Sequence, residues 1–288
     1  MGSDGPEYWT IHTDSGKQIA TLKPEEHQPE EMILVLSDLQ PGLRTPTYNV
    51  DEFKARLQRL TDAVLRLQEI HSADRRIDTL HIAALGDFVE GEPYTRRINL
   101  AELDVYDGVP FDILAQKRLI VNECDTMLQR LLERFHHIQF VGVYGNHGAN
   151  RDRTASMRTN DDTEVYYSLS DRFRDNHRLS FVIDPGKFYQ VFEVAGWPFL
   201  MAHGDQIKMW QRTPLYGISN MVTLWHQVIP EPFRYVLLGH FHSLNYIDSV
   251  GTPVYLNGAF VDDDSYGMAR GLKASAAQWV IGVHPRYG

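Results

Sequence analysis

The amino-acid sequence predicts a mixed α/β protein, a four-layer αββα sandwich in which two packed β-sheets are flanked by helices. Short apolar runs without alternation, typical of strands covered on both faces, each end at a polar loop. Between these runs lie stretches whose apolar residues recur at helical spacing. The C-terminal part is richer in β-strand signals, which indicates a second sheet packed against the first.

The N-terminal segment differs in composition from the rest of the chain. Alternating runs at 8–13 and 18–22 surround the turn sequence DSG and predict a β-hairpin. Residues 23–31 contain two prolines and four glutamates, which indicates a solvated connector. We therefore divide the chain into a hairpin with its connector, residues 1–31, and one large domain, residues 32–288.

Five apolar runs, each ending at a polar loop, predict the first set of strands: MILVLSD, LHIAALGD, IQFVGVYGNH, FLMAHGD and YVLLGHFH. Amphipathic stretches at 50–70 and 113–135 predict helices between them, which gives a layered α/β arrangement. The second sheet is predicted from runs that begin at Leu179, and we expect it to be mostly antiparallel. These runs are LSFVI, FYQVFEV, PFLMAH, LNYIDSV, TPVYLNGAF and AQWVIGV.

Composition limits the partners and the compartment. The formal net charge of −10 gives no overall attraction to nucleic acid or to an anionic membrane, so an anionic substrate must be bound locally. The single cysteine, Cys124, excludes an intramolecular disulfide and is expected to be a packed core thiol. No run approaches the roughly 20 apolar residues of a membrane span. The polar start of the chain lacks a signal-peptide core, so we expect a soluble, cytoplasmic protein without a membrane partner. The N-terminal hairpin is a possible contact for a homo-oligomer.

The five loops that follow the apolar runs carry the residues of a candidate metal centre. Ligands bind at the carboxyl ends of strands in open α/β sheets, so these loops are expected to converge. Carboxylate, amide and imidazole groups suit divalent ions, and two ions roughly 3.5–4 Å apart can clamp a phosphoester. The candidate residues are Asp38, Gln40, Asp87, Asn146, His147, His203, His240 and His242.

The ordered motifs SDLQ, GDFVEG, GNHG, AHGD and GHFH resemble the five-motif signature of the calcineurin-like metallophosphoesterase superfamily. The resemblance covers at least residues 32–260 and implies a two-metal phosphoesterase whose nucleophile is metal-bound hydroxide. It implies two ligand sets that share Asp87 as the bridge, and His147, with Asn146, as catalytic residues. The first set is Asp38, Gln40, Asp87 and His242, and the second is Asp87, Asn146, His203 and His240.

Gln40 departs from the family pattern, which has histidine two residues after the first aspartate. An amide oxygen is a harder and weaker donor than imidazole, so we expect Mn²⁺ first, with Mg²⁺, Fe²⁺ or Zn²⁺ as alternatives. The same departure gives the only support for a non-catalytic scaffold that has lost one metal.

The substrate is predicted less sharply than the metal centre. Segments around several motifs are similar to phage-encoded phosphoesterases and to the SbcD-type nuclease branch, which favours phosphodiester hydrolysis in DNA, other nucleic acid or nucleotides. A phosphomonoesterase or a cyclic-nucleotide phosphodiesterase is the alternative on the same site. Trp210 and Tyr216 offer a stacking surface for a base or, as the alternative, core packing. Four arginines are candidates for binding substrate phosphates, with solvated loop positions as the alternative: Arg96, Arg97, Arg151 and Arg153.

Overall fold

The computed structural model describes residues 29–72, 75–91, 112–149, 159–209, 214–262 and 275–288, together with the backbone of four short strands. In chain order the strands are β1 (Trp9–His12), β2 (Gln18–Leu22), β3 (Glu30–Leu36), β4 (Ile77–Ala84), β5 (Val105–Tyr106), β6 (Val109–Pro110), β7 (His137–Gly142), β8 (Leu179–Ile183), β9 (Tyr189–Val194), β10 (Trp197–Ala202), β11 (Tyr235–Leu238), β12 (Asn245–Ser249), β13 (Thr252–Leu256) and β14 (Val280–Val283). The helices are α1 (Val50–His71), α2 (Ile113–Leu131), α3 (Asp161–Arg172) and α4 (Leu215–Val228).

The N-terminal strands β1 and β2 pair antiparallel, with Trp9 opposite Leu22, which confirms the predicted hairpin. Its turn lies outside the described residues. Strand β3 begins at Glu30 and therefore includes the last two residues that we assigned to the connector. The division of the chain at residue 31 stays a prediction.

The first sheet has the strand order β14-β3-β4-β7-β8, in which β3, β4, β7 and β8 are parallel neighbours. Strand β8 follows β7 through α3, the kind of helical crossover that parallel neighbours require. The antiparallel strand β14 closes the other edge beside β3. Two runs that we assigned to the second sheet, LSFVI and AQWVIGV, therefore contribute strands to the first sheet, and that assignment was wrong.

The second sheet has the order β12-β13-β11-β10-β9 and is mixed rather than mostly antiparallel. Its inner pairs β13–β11 and β11–β10 are parallel, and only the outer pairs are antiparallel. Helix α4 provides the crossover from β10 to β11, and strand β12 lies between β11 and β13 in the chain. Two of the five motif-bearing runs, FLMAHGD and YVLLGHFH, lie in this inner parallel part.

Three buried apolar clusters separate four layers, which confirms the αββα sandwich. One cluster lies between the sheets and joins Ile33 and Val141 of the first to Phe199 and Met201 of the second. A second cluster packs α1, α2 and α3 on the outer face of the first sheet, and a third packs α4 on the second. Cys124 is buried in the second of these clusters, where burial raises the pKa of its thiol to about 12. It is the packed core thiol that the sequence predicts.

The two predicted helices are present with different ends. Helix α1 begins after Asn49, whose side chain caps it by accepting a 2.9 Å hydrogen bond from the Glu52 N–H. Helix α2 ends at Leu131, four residues before the predicted end, because the chain tightens there into bonds between residues three apart. Among the described helices, none combines the length and the apolar composition needed to cross a membrane.

Candidate metal centre

The loops that follow β3, β4, β7, β10 and β11 meet at one edge of the sandwich. Backbone hydrogen bonds join them within each sheet: the Asp38 N–H donates to Gly86 O at 3.1 Å, and the Gly239 N–H donates to His203 O at 2.9 Å. A hydrogen bond also joins loops of the two sheets, because the His240 N–H donates to Asp38 Oδ2 at 3.1 Å. The predicted convergence of the five loops is confirmed.

The candidate ligands occupy unusual backbone conformations. Of the seven non-glycine residues with positive φ in the described chain, five are candidate ligands. Residues with a Cβ rarely adopt this region, and such strain concentrates at functional sites. The five are Asp38 (φ 54°), Gln40 (42°), Asp87 (52°), His240 (69°) and His242 (52°).

His203 is the centre of the second ligand set. Its Nδ1 lies 2.7 Å from Leu85 O, and because a carbonyl can only accept, Nδ1 carries a proton and donates. This bond turns Nε2 toward Asp87 Oδ2 at 3.1 Å and Asn146 Oδ1 at 3.0 Å. Ligand atoms of Asp87, His203 and His240 all lie within 4.8 Å of one another, and the three side chains could hold one metal ion.

The first ligand set has fewer short contacts among its side chains than the second. His242 Nε2 lies 3.3 Å from Asp38 Oδ1. Gln40 is 1% exposed, and neither its amide oxygen nor its amide nitrogen has a hydrogen-bond partner in the described part of the chain. A buried unpaired amide costs about 1–3 kcal/mol, so it needs an explanation. Ligation of a cation by the amide oxygen supplies one.

Electrostatics ties these residues into one cluster. Burial would raise the pKa of Asp87, but the positive charges on His147 and His203 outweigh it and hold that pKa well below its usual range. Burial would likewise lower the pKa of His203, but Asp87 overrides it and raises that pKa to about 10. Burial and the charge on His203 lower the pKa of His240 to about 4. The charge states of Asp87, His203 and His240 are therefore strongly linked.

His147 lies beside the candidate bridging carboxylate. Its N–H donates to Asp87 Oδ1 at 2.6 Å, and its ring Nε2 is 3.7 Å from Asp87 Oδ2. On the other side of the ring, Nδ1 is 3.1 Å from Glu90 O and 3.2 Å from Glu90 Oε2. The Glu90 carbonyl can only accept, so Nδ1 donates to it, and this bond orients Nε2 toward Asp87. Sequence reasoning did not single out Glu90, although it lies within the GDFVEG motif.

Asp162, which sequence reasoning also missed, supports two of the ligand loops from behind. It is fully buried at the start of α3, and its Oδ2 accepts hydrogen bonds from the N–H groups of Asp87 (2.9 Å) and Gly145 (2.8 Å). Its Oδ1 accepts a third from Phe88 at 2.9 Å. Burial and repulsion by Asp87 raise the pKa of Asp162 to about 6. Because neither the DD pair nor its position marks Asp162 in the sequence, only the fold identifies it.

Gly145 shows how closely these loops pack. A Cβ at this position would lie 2.1 Å from Asp87 Oδ1 and 2.4 Å from the Asp87 backbone nitrogen. Only glycine therefore allows the loop that carries Asn146 to approach the Asp87 carboxylate. The predicted substrate-binding residues Arg96, Arg97, Arg151 and Arg153 all lie outside the described residues.

No protein-family model matches this chain, and no curated protein sequence does either. Several solved structures are similar to it. Vacuolar protein sorting 29 from Cryptosporidium parvum is 13% identical, covers 89% of this chain and 87% of its own, and has a TM-score of 0.40. A predicted phosphoesterase from Streptococcus pneumoniae TIGR4 is 11% identical with 89% and 85% coverage and a TM-score of 0.38. An archaeal phosphodiesterase is 12% identical with 88% and 99% coverage and a TM-score of 0.36.

Proposed function

We propose that this protein is a calcineurin-like metallophosphoesterase that hydrolyses phosphodiester bonds with two divalent metal ions. The supporting observation is a set of buried polar atoms on the converging loops. Among the described residues, Gln40 Oε1 has no hydrogen-bond partner, while Asp38 Oδ1 and Asp87 Oδ2 lie beside the imidazole nitrogens of His242 and His203. Natural proteins rarely bury an amide such as that of Gln40 unpaired. Metal coordination accounts for all three together, which no set of separate turn or capping roles does.

The donor set fits two ions that share Asp87. Asp38, Gln40 and His242 would complete the first site, and Asn146, His203 and His240 the second. Two bound ions supply an activated water at neutral pH and offset charge on the phosphate oxygens. Carboxylate and amide oxygens in the first site favour a hard cation, and we propose Mn²⁺.

The remaining chemistry belongs to side chains of this protein. Glu90 fixes the His147 ring from the Nδ1 side, which directs Nε2 toward the candidate metal centre, where a protonated Nε2 would donate to the leaving oxygen. We place His147 in direct contact with the substrate and Glu90 as a positioning residue.

Metal analysis combined with two model substrates tests this proposal. We expect purified protein to bind two Mn²⁺ per chain and to hydrolyse bis-p-nitrophenyl phosphate faster than p-nitrophenyl phosphate. A protein that binds no divalent metal and hydrolyses neither compound would support the scaffold reading instead. Selective turnover of the monoester would replace the phosphodiesterase assignment with a phosphomonoesterase.

The role of Gln40 is tested by Gln40→His. Imidazole is a softer and stronger donor than an amide, so we expect tighter binding at the first site and a shift from Mn²⁺ toward Zn²⁺. Titration calorimetry and elemental analysis measure both changes without relying on activity. Unchanged affinity and unchanged metal preference would remove Gln40 from the ligand set.

A further inference from the structure

We propose that three exposed residues on or next to the candidate ligand loops, Arg44, Lys208 and Tyr216, bind a single-stranded nucleic acid on both sides of the scissile phosphate. This inference rests on the proposed phosphodiesterase function and specifies its substrate. The two cations would contact neighbouring phosphates of the strand. The tyrosine would stack on a base.

In the described parts of the candidate ligand loops, few cationic side chains could bind further phosphates. The described parts of the five ligand loops, 37–49, 85–91, 143–149, 203–209 and 239–244, contain two cationic side chains, Arg44 and Lys208. They contain four carboxylates: Asp38, Asp87, Glu90 and Asp205. Two divalent ions would offset those carboxylates. In a chain with a net charge of −10, further phosphates would then be attracted by these two residues.

Arg44 is exposed on a loop that is fixed at both ends. Before it, the Leu43 N–H donates to Gln40 O at 3.0 Å and closes a tight turn that starts at a candidate metal ligand. After it, the Thr45 N–H donates to Tyr48 O at 2.9 Å, and the Tyr48 side chain is fully buried. Within the described chain, the Arg44 side chain has no recorded hydrogen bond or ion pair. A rigid loop therefore presents an available guanidinium four residues from Gln40.

Lys208, on the loop that follows β10, and Tyr216, in the first turn of α4, are also exposed. The two are neighbours because Gly217, next to Tyr216, packs on the Lys208 backbone: a Cβ on Gly217 would lie 2.1 Å from Lys208 O. Lys208 is exposed, and Tyr216 is 72% exposed, which excludes the core packing that we considered for this tyrosine. Exposed aromatic and cationic residues on neighbouring segments of backbone are the combination that binds nucleic-acid single strands without sequence preference.

The positions of Arg44 and of the Lys208–Tyr216 pair favour a nucleic-acid strand over a small substrate. Arg44 follows β3 of the first sheet and Lys208 follows β10 of the second, so they approach the centre from different sheets. The single phosphate of a monoester or a cyclic nucleotide would be held at the metals. Cations on both sides add affinity only when the ligand carries further phosphates.

Equilibrium binding of a fluorescein-labelled single-stranded oligodeoxynucleotide tests the inference. Fluorescence anisotropy is measured with Ca²⁺ in place of Mn²⁺, at salt concentrations from about 50 to about 200 mM. The variants are Arg44→Ala, Lys208→Ala and Tyr216→Ala. Arg134→Ala is the matched control, since Arg134 is an exposed arginine just before β7, at the opposite edge of the sheet. Turnover of bis-p-nitrophenyl phosphate by each variant is measured separately.

We expect each cation variant to reduce the slope of log affinity against log salt by about 0.7, the value for one lost contact to a single-strand phosphate. Tyr216→Ala should weaken binding about tenfold and leave the slope unchanged. All three variants should retain turnover of bis-p-nitrophenyl phosphate. Wild-type protein that hydrolyses this compound but does not bind the oligonucleotide overturns the inference and leaves the proposed function intact. Slopes that match those of Arg134→Ala also overturn it.

Discussion

The buried carboxyl of Asp162 gives the sharpest test of how the ligand loops are supported. Its pKa of about 6 in the folded protein lies above the ordinary value of 3.8, because burial and repulsion by Asp87 disfavour its charge. Between these values the folded state binds more protons than the unfolded state, so stability falls as pH rises. The shift of about two pH units corresponds to about 3 kcal/mol, at about 1.4 kcal/mol per unit.

Asp162→Asn removes this titration while keeping the side-chain shape. We therefore expect the difference in unfolding free energy, wild type minus variant, to fall by about 2 kcal/mol between pH 4 and pH 7 in metal-free protein. Urea denaturation in chelator at several pH values measures it. The exposed Asp62 provides a control, since Asp62→Asn removes a carboxylate without touching the buried loops.

The opposite result would show that another interaction dominates. Three backbone N–H groups donate to Asp162 within 2.9 Å, and hydrogen bonds of this kind stabilise the ionised carboxylate. If they outweigh burial, the pKa lies below 3.8 and the stability difference rises with pH over the acid range instead of falling. A rising or flat difference would refute the assignment of burial and Asp87 as the dominant causes.

Three further changes test neighbouring features. His147→Ala should lower turnover of bis-p-nitrophenyl phosphate by about 10²–10⁴-fold with metal content unchanged, and equal turnover would remove this side chain from the mechanism. Gly145→Ala should displace Asp87 and lower metal stoichiometry measured by elemental analysis, whereas Gly282→Ala, with nothing within 4 Å, should not. A hydrogen bond from a histidine lowers the pKa of Glu31, so its stabilisation is present above pH 4.5 and lost as pH falls below it. In urea denaturation at several pH values, Glu31→Gln should lose less unfolding free energy than wild type as pH falls below 4.5. An equal loss in both proteins would contradict the role assigned to the Glu31 hydrogen bond.

Local pattern predicted the layers of the fold but not the membership of every strand. The buried runs before Asp38 and Asp87 identify β3 and β4 because strands covered on both faces have no alternation. Strands β8 and β14 are edge strands with half-exposed patterns, and their sequences fit either sheet equally well. Strand β14 pairs with β3, with Val280 opposite Leu34. No local signal encodes a pairing over such a separation.

In the candidate site too, some residues could be predicted from local sequence and others could not. Candidate ligands such as Asp38 and His203 follow apolar runs directly, so their shared position at strand ends could be seen in the sequence. Asp162 acts from the first turn of a helix 75 positions beyond Asp87. Its neighbour Asp161 has the same chemistry but faces Lys117 at 3.0 Å. Which of two adjacent aspartates turns inward depends on how α3 docks on the sheet, and that is a tertiary property.

Backbone strain connects the candidate ligands with Asp162, the residue that supports one of their loops. Asp38, Gln40 and Asp87 adopt positive φ, which costs about 1–3 kcal/mol at each such residue. Aspartate tolerates this region better than most residues with a Cβ, but glycine would be less strained at all three positions. The buried carboxylate of Asp162 holds one of these loops in place through the Asp87 N–H. The strained backbone, the unpaired amide of Gln40 and the carboxylate behind Asp87 are thus three costs to the folded chain at one place, and binding cations between the loops would offset all of them.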